Sequence, residues 1–273
     1  MTKKGSTEEA IRLFEESIKK NPEDDQAYNK LGNAYYDSGQ YKLALEQYKI
    51  AWEKSNGKAS EWIYISNIGD AYSRLLNYEE AIKHYEKALN INPKDDLINN
   101  SLGNAYSLTG NNDKAIDFYQ KAISINPKPV YYTNIGDVYR IQGDHSKAKL
   151  FYSESVSLDP NYAPAQNALG VIYFSDMKDS DALSKAIEHY SKAVENDPDN
   201  FTYNANLGDA FRAVRKWDEA IKYYNIALKS RPDDFQLNNG IGVAYYFKGD
   251  LEKAIEYYSK AIEGDSNNHN YYA

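Results

Sequence analysis

Apolar and small residues recur along the chain in two alternating stripes. In the first stripe, a Leu or Ile is followed by Gly and, three residues later, by Tyr or Phe, as in Leu31, Gly32 and Tyr35. In the second stripe, an Ala is followed four residues later by Tyr and seven residues later by Ala or Ser, beginning with Ala44 and Tyr48. Residues three, four and seven apart lie on one face of an α-helix. The pattern therefore predicts two kinds of amphipathic helix that alternate along the chain.

Both stripes return at a nearly constant interval. The glycines of the first stripe are 33 to 38 residues apart, and each is followed by a second stripe. Because one pair of helices cannot bury both of its faces, such a period predicts helix pairs that stack on one another, as in an α-solenoid. The seven glycines are Gly32, Gly69, Gly103, Gly136, Gly170, Gly208 and Gly242. The tyrosines of the second stripe are Tyr48, Tyr85, Tyr119, Tyr152, Tyr190, Tyr224 and Tyr258.

Taken together, these residues resemble the tetratricopeptide repeat: an apolar residue and Gly, an aromatic, then Ala, an aromatic, a small residue and Pro. The resemblance covers nearly the whole chain. It implies an all-α fold, a right-handed superhelix of antiparallel helix pairs in which the first helix of each pair lines a concave groove. It divides the chain into a half repeat over residues 1–24 that holds only a second helix, seven tandem units over residues 25–268, and a truncated further unit or tail over residues 269–273.

Two interruptions lengthen the period. Three additional residues follow Ala51 in the stretch WEKSNGKASEW, and four additional residues lie between Gly170 and Ala186. Lengthening a surface turn costs little conformational entropy, so extended turns are the favoured interpretation. A local bend or a binding loop is the alternative for each.

A row of polar residues accompanies the first stripe. On a helix, the positions three before, two before, one after, and four or five after the Gly lie beside the packing stripe, on the face that the family resemblance places in the groove. Asn is only a middling helix former, so its repeated use there calls for an explanation. We call this set the polar row; it comprises Asn29, Asn33, Asn67, Asp70, Asn100, Asn104, Asn134, Asp137, Arg140, Asn167, Asn206, Asp209, Arg212 and Asn239.

The chemistry of the Asn side chain suggests a role for the polar row. Its amide offers two donors and an acceptor, which match the C=O and N–H groups of an extended peptide backbone. Some tetratricopeptide arrays, including that of O-linked GlcNAc transferase, hold peptides with asparagines in this way. Asn67, Asn134 and Asn206 occupy the similar position, two residues before the Gly, in every second unit. The row is therefore predicted to line a peptide-binding groove, and the alternation suggests duplication of a two-unit block.

The polar row also admits purely structural roles. The amides could bridge successive first helices, or their number could reflect a compositional bias. Asp and Arg three or four residues apart could stabilise their own helix. The pairs are Asp137 with Arg140, Asp209 with Arg212, and Asp70 with Arg74. Aromatic side chains on the same face either form apolar pockets or pack against the next helix; they are Tyr36, Phe174, Tyr246 and Phe247.

The composition narrows the class of partner. The chain has 273 residues, 42% of them hydrophobic, and a net charge of −8. An acidic chain lacks the basic face of a nucleic-acid binder. No apolar run approaches the roughly 18 residues that a membrane span needs, and no secretory leader is visible at the start. We therefore expect neither nucleic acid nor a membrane span, and a cytoplasmic location.

No arrangement of reactive residues suggests catalysis. The chain has no Cys, its four His lie in different units, and neither a Gly-rich phosphate loop nor a Ser-His-Asp pattern occurs. Acidic pairs after the Pro turns, such as Asp24-Asp25 and Asp95-Asp96, are expected to cap the next helix. We therefore predict no enzyme activity, no cofactor and no metal site.

These patterns together predict a protein–protein interaction scaffold that binds an extended segment of a protein or peptide partner. One alternative is the substrate-recognition domain of a larger enzyme such as a glycosyltransferase. Another is a structural subunit that self-associates through its uncapped ends.

Overall fold

The computed structural model describes residues 3–58, 60–176 and 181–264, and these ranges fold into α-helices with no β-strand. The helices are α1 (Lys3–Lys20), α2 (Asp25–Asp37), α3 (Tyr41–Ser55), α4 (Glu61–Arg74), α5 (Tyr78–Ile91), α6 (Asp96–Leu108), α7 (Asn112–Ile125), α8 (Pro129–Ile141), α9 (His145–Leu158), α10 (Ala163–Ser175), α11 (Ala182–Asn196), α12 (Phe201–Ala213), α13 (Trp217–Leu228), α14 (Phe235–Lys248) and α15 (Leu251–Gly264). The predicted all-α solenoid is confirmed. Within the described ranges, every helix is too short or too polar to span a bilayer.

Each even-numbered helix carries a first stripe, and the odd-numbered helix after it carries a second stripe. The two helices of a pair approach closely because the Gly of the first faces the Tyr ring of the second. A Cβ atom added to Gly69 would lie 2.7 Å from Cε1 of Tyr85, well inside van der Waals contact. Gly is therefore required here for packing. The same contact joins Gly32 with Tyr48, Gly103 with Tyr119, Gly170 with Tyr190, Gly208 with Tyr224, and Gly242 with Tyr258.

The chain forms two compact units, Met1–Val138 and Tyr139–Ala273, whose boundary falls inside α8. In the first unit, Tyr48 of α3 belongs to one buried cluster with Ile68 of α4. In the second unit, α13 and α14 share a buried cluster around Tyr224. Within each unit, the second helix of one pair therefore packs on the first helix of the next.

Acidic side chains after the Pro turns cap the first helices, as predicted. The carboxylate of Asp24 accepts hydrogen bonds from the backbone N–H groups of Gln26 and Ala27 at the start of α2. Asp95 accepts from the N–H of Ile98 at the start of α6, and Asp234 from that of Leu237 at the start of α14. Because the first N–H groups of a helix lack intrahelical partners, such a cap stabilises the helix by about 1 kcal/mol.

The first interruption follows α3, where Asn56 and Gly57 have positive φ values of 53° and 75° and turn the chain towards α4. The second interruption lies partly outside the described residues, because these stop at residue 176 and resume at residue 181. The further unit or tail predicted at residues 269–273 also lies outside the described residues.

Candidate functional site

The polar row lies entirely on first helices, from α2 to α14. Asn33, Arg140 and Asn239 are exposed, and the other members are half-buried. The row is therefore a surface feature at the edge of the packing stripe. Each side chain of the row is therefore at least partly accessible to a ligand, and its backbone is fixed in a packed helix.

Among the described residues, four hydrogen bonds join amides of the polar row across neighbouring first helices. One runs from Nδ2 of Asn134 to Oδ1 of Asn104 at 3.3 Å. In each of the other three, the Asn two residues before the Gly donates from Nδ2 to Oδ1 of the Asn three residues before the Gly in the preceding pair. The bonds are Asn67 to Asn29 at 2.7 Å, Asn134 to Asn100 at 2.8 Å, and Asn206 to Asn167 at 2.8 Å. The bridging that the sequence left open therefore occurs at these three places.

Each bridge leaves hydrogen-bonding capacity unused. A bridge between two amides consumes one N–H of the donor and one lone pair of the acceptor. In the described part of the chain, Oδ1 of Asn67 and Nδ2 of Asn29 make no further hydrogen bond. The same holds for Oδ1 of Asn206 and Nδ2 of Asn167. A bridged pair thus presents one acceptor and one donor side by side.

The position directly after the Gly has a different partner, the Tyr that packs on that Gly. The Tyr hydroxyl donates to Asn or Asp at this position in several of the described pairs of helices. The bonds are Tyr48 to Asn33 at 2.9 Å, Tyr85 to Asp70 at 2.7 Å, Tyr119 to Asn104 at 2.8 Å, and Tyr224 to Asp209 at 2.7 Å. Asn and Asp therefore do the same structural work here, which is to satisfy a buried phenol.

Two of the three predicted helix-stabilising pairs, Asp209 with Arg212 and Asp70 with Arg74, differ in the structure. Arg212 contacts Asp209 at 3.2 Å and donates from Nε to the Tyr224 hydroxyl, which confirms the first pair. The prediction that Arg74 pairs with Asp70 is wrong. Arg74 donates instead to the hydroxyl of Tyr41 at 2.9 Å, a residue of the preceding helix pair. A phenol 33 residues away in sequence thus outcompetes the carboxylate one helical turn away.

Asp70 is consequently left without a cationic partner among the described residues. Burial raises the pKa of its carboxyl from 3.8 to about 6, and the hydrogen bond from Tyr85 opposes this shift. A carboxylate with these surroundings is still mostly ionised at neutral pH. It is a half-buried negative charge on the polar row that nothing described in the protein neutralises.

Four buried amides outside the polar row were missed by sequence reasoning. They lie four residues before the Gly and six residues after the Pro that closes the preceding pair. Gln166, Asn204 and Asn238 donate to the carbonyls of Pro160, Pro198 and Pro232, and Asn99 donates to that of Asp95. Part of the Asn content therefore secures the turns between helix pairs. The constant Pro-to-amide spacing was the available signal.

The aromatic side chains of this face divide between the two predicted roles. Phe174 packs in the buried cluster of Tyr190. Phe247 is 61% exposed, yet its ring stacks on Trp217 with centroids 5.0 Å apart. Tyr246 is 55% exposed and meets Phe247 edge to face. An exposed aromatic surface therefore lies at the carboxyl end of α14.

Within the described ranges, no group of three or more His, Asp or Glu is placed to hold a metal ion.

Family models described as tetratricopeptide repeats match residues 2–39, 23–94, 60–128, 130–162 and 205–269. The chain belongs to the tetratricopeptide repeat family. A model of the related Sel1 repeat matches residues 163–198, which contain the second interruption. No curated protein sequence matches the chain significantly.

Solved structures share the fold at low sequence identity. The Cut9–Hcn1 hetero-tetramer of the APC/C aligns with a TM-score of 0.65 and 18% identity over 96% of this chain. The chain spans about half, 51%, of that protein. PilF of Pseudomonas aeruginosa aligns with a TM-score of 0.66 and 18% identity over 77% of this chain and 94% of its own. MamA aligns with a TM-score of 0.52 and 23% identity over 63% of this chain and 97% of its own.

The tetratricopeptide repeats make this protein a protein-interaction scaffold.

Proposed function

We propose that this tetratricopeptide scaffold binds an extended segment of a protein partner along its polar row. The observation that carries the proposal is the unused acceptor and donor of two bridged pairs, Asn67 with Asn29 and Asn206 with Asn167. In an extended peptide the N–H and C=O of one residue point to the same side, so a single residue of the partner can satisfy both groups of a pair. Recognition of this kind depends on the partner's backbone and tolerates many sequences.

The bridges favour such binding because they fix the amides beforehand. An isolated exposed Asn loses rotamer freedom when it binds a ligand, whereas Asn67 and Asn29 already hold each other in place. Each direct hydrogen bond contributes about 0.5–1.5 kcal/mol net, so affinity requires several pairs together. The pairs recur once every two units, which suits a long partner segment in extended conformation.

A display library of random 15-residue peptides, selected on the immobilised protein, tests this proposal. Selected peptides are then measured by calorimetry against wild type and the triple variant Asn67→Ala, Asn134→Ala, Asn206→Ala, after circular dichroism has confirmed that both are folded. We expect the triple variant to lose most of the affinity. We also expect N-methylation of the peptide backbone to weaken binding to wild type.

Asn196→Ala is a matched control, because this amide is exposed on α11 and donates only to the Lys192 carbonyl of its own helix. It should bind the same peptides as wild type. Peptides that bind the folded triple variant as tightly as wild type would show that the bridges are purely architectural. Failure to select any peptide would also count against the proposal.

A further inference from the structure

The chain itself shows that Asp70 is not needed for structure. Asn33 and Asn104 occupy the same position in neighbouring units and accept the same phenol hydrogen bond that Asp70 accepts from Tyr85. Asn satisfies the phenol without a charge and without the desolvation cost of a half-buried carboxylate. The negative charge of Asp70 therefore lowers the stability of the protein, and Asn at this position would avoid that cost. Residues that lower stability in this way are typical of functional sites.

Asp209, the aspartate at the equivalent position in the compact unit Tyr139–Ala273, has a cationic partner. The carboxylate of Asp209 accepts from the Tyr224 hydroxyl and also contacts the Arg212 guanidinium at 3.2 Å. Its charge is thus neutralised within its own helix. The basic residue nearest to Asp70 in sequence, Arg74, is engaged by Tyr41 instead: its guanidinium carbon lies 5.1 Å from the ring centroid and Nη2 donates to the hydroxyl.

Three phenols interact with the Asp70 carboxylate. Tyr85 of α5 donates to it, and burial together with the negative charge of Asp70 raises the pKa values of Tyr36 on α2 and Tyr48 on α3. Neutral phenols do not cancel a carboxylate charge. In a partly desolvated site, a cation that reaches this carboxylate gains more than it would in bulk water.

We propose that Asp70 is a specificity-determining residue of the polar row, which pairs with the ammonium or guanidinium group of a Lys or Arg side chain in the partner segment. This inference rests on the proposed function, since the backbone of that segment must lie along the row to bring a side chain to Asp70. The neighbouring bridge between Asn67 and Asn29, on the same helix α4 and its neighbour α2, provides that backbone contact. The partner would carry a basic residue at one position of an otherwise loosely specified sequence.

Peptide selection on wild type and on Asp70→Asn tests the inference. The Asn substitution keeps the acceptor for Tyr85 and removes only the charge. We expect Lys or Arg to be enriched at one peptide position with wild type and not with the variant. In the best wild-type peptide, replacing that Lys by norleucine should weaken binding to wild type about tenfold and leave binding to Asp70→Asn unchanged.

Glu46→Gln is the charge-matched control, because Glu46 is exposed on α3 and lies outside the polar row. It should retain the preference for a basic residue, which excludes an effect of net charge. Row-dependent peptides without any basic preference would overturn the role of Asp70 and leave the proposed function standing. Absence of any row-dependent peptide would overturn both.

A measurement on the free protein tests the structural premise separately. The pKa of the Asp70 carboxyl can be followed by carbon-detected NMR titration, and an unpaired carboxylate should titrate above its ordinary range. A pKa within or below that range would mean that the carboxylate is solvated or neutralised in solution, for example by Arg74, and it would overturn the inference.

Discussion

The contact between Gly103 and Tyr119 sets the distance between α6 and α7, so Gly103→Ala should destabilise the protein. A Cβ at residue 103 would lie 2.6 Å from Cε1 and 2.7 Å from Cδ1 of Tyr119. The ring cannot simply swing away, because Tyr119 is 2% exposed and its hydroxyl donates to Asn104 at 2.8 Å. Either the ring or one of the two helices must shift.

The net effect follows from three opposing contributions. Ala in place of Gly in a helix interior is favourable by about 1 kcal/mol. Overpacking a well-filled site costs about 1–3 kcal/mol. A ring displacement that breaks the hydrogen bond of Tyr119 to Asn104 adds about 1 kcal/mol. The overpacking and hydrogen-bond costs exceed the helix-propensity gain, and we expect a net destabilisation of about 1–3 kcal/mol.

Urea unfolding followed by circular dichroism measures this effect as a lower transition midpoint. A double-mutant cycle with Tyr119→Leu identifies the cause, because the smaller side chain removes the clash. Gly103→Ala should therefore cost much less in the Tyr119→Leu background than in wild type. A higher midpoint for Gly103→Ala, or additive effects of the two substitutions, would refute the clash with Tyr119.

Two further stability predictions concern polar side chains. The folded protein holds the Asp70 proton more tightly than the unfolded chain, so this carboxyl makes wild-type stability fall as the pH rises from 3.8 to about 6. Asp70→Asn lacks this fall and should be more stable than wild type at pH 7 by up to about 3 kcal/mol in urea unfolding; equal pH profiles would contradict this. Asn204→Ala loses the bonds to the Pro198 and Asn200 carbonyls and should cost about 1–3 kcal/mol in thermal unfolding. An unchanged Tm for that variant would show that the turn does not depend on the buried amide.

The helices and their pairing could be predicted because they depend on residues close in sequence. The spacing of an aliphatic residue, Gly and Tyr identifies the packing face of a first helix, and the repeat period forces the pairs to stack. The hydrogen bonds of the polar row could not be predicted in the same way. Asn67 bonds to Asn29, 38 residues earlier in the sequence. Arg74 bonds to Tyr41 of the preceding helix pair and not to Asp70, which is nearer in sequence.

The asparagine bridges explain why the polar row alternates between two kinds of repeat unit. A bridge needs one Asn three residues before a Gly and one Asn two residues before the next Gly, so neither kind of unit can form it alone. Asn206 and Asn167 form such a bridge in the compact unit Tyr139–Ala273, and Asn67 and Asn29 form one in the compact unit Met1–Val138. The smallest block that presents a fixed donor and acceptor together is therefore two helix pairs long. If the row binds a partner's backbone, the contacts must repeat with this two-unit period, and a change to either member of a bridge should weaken binding as much as a change to the other.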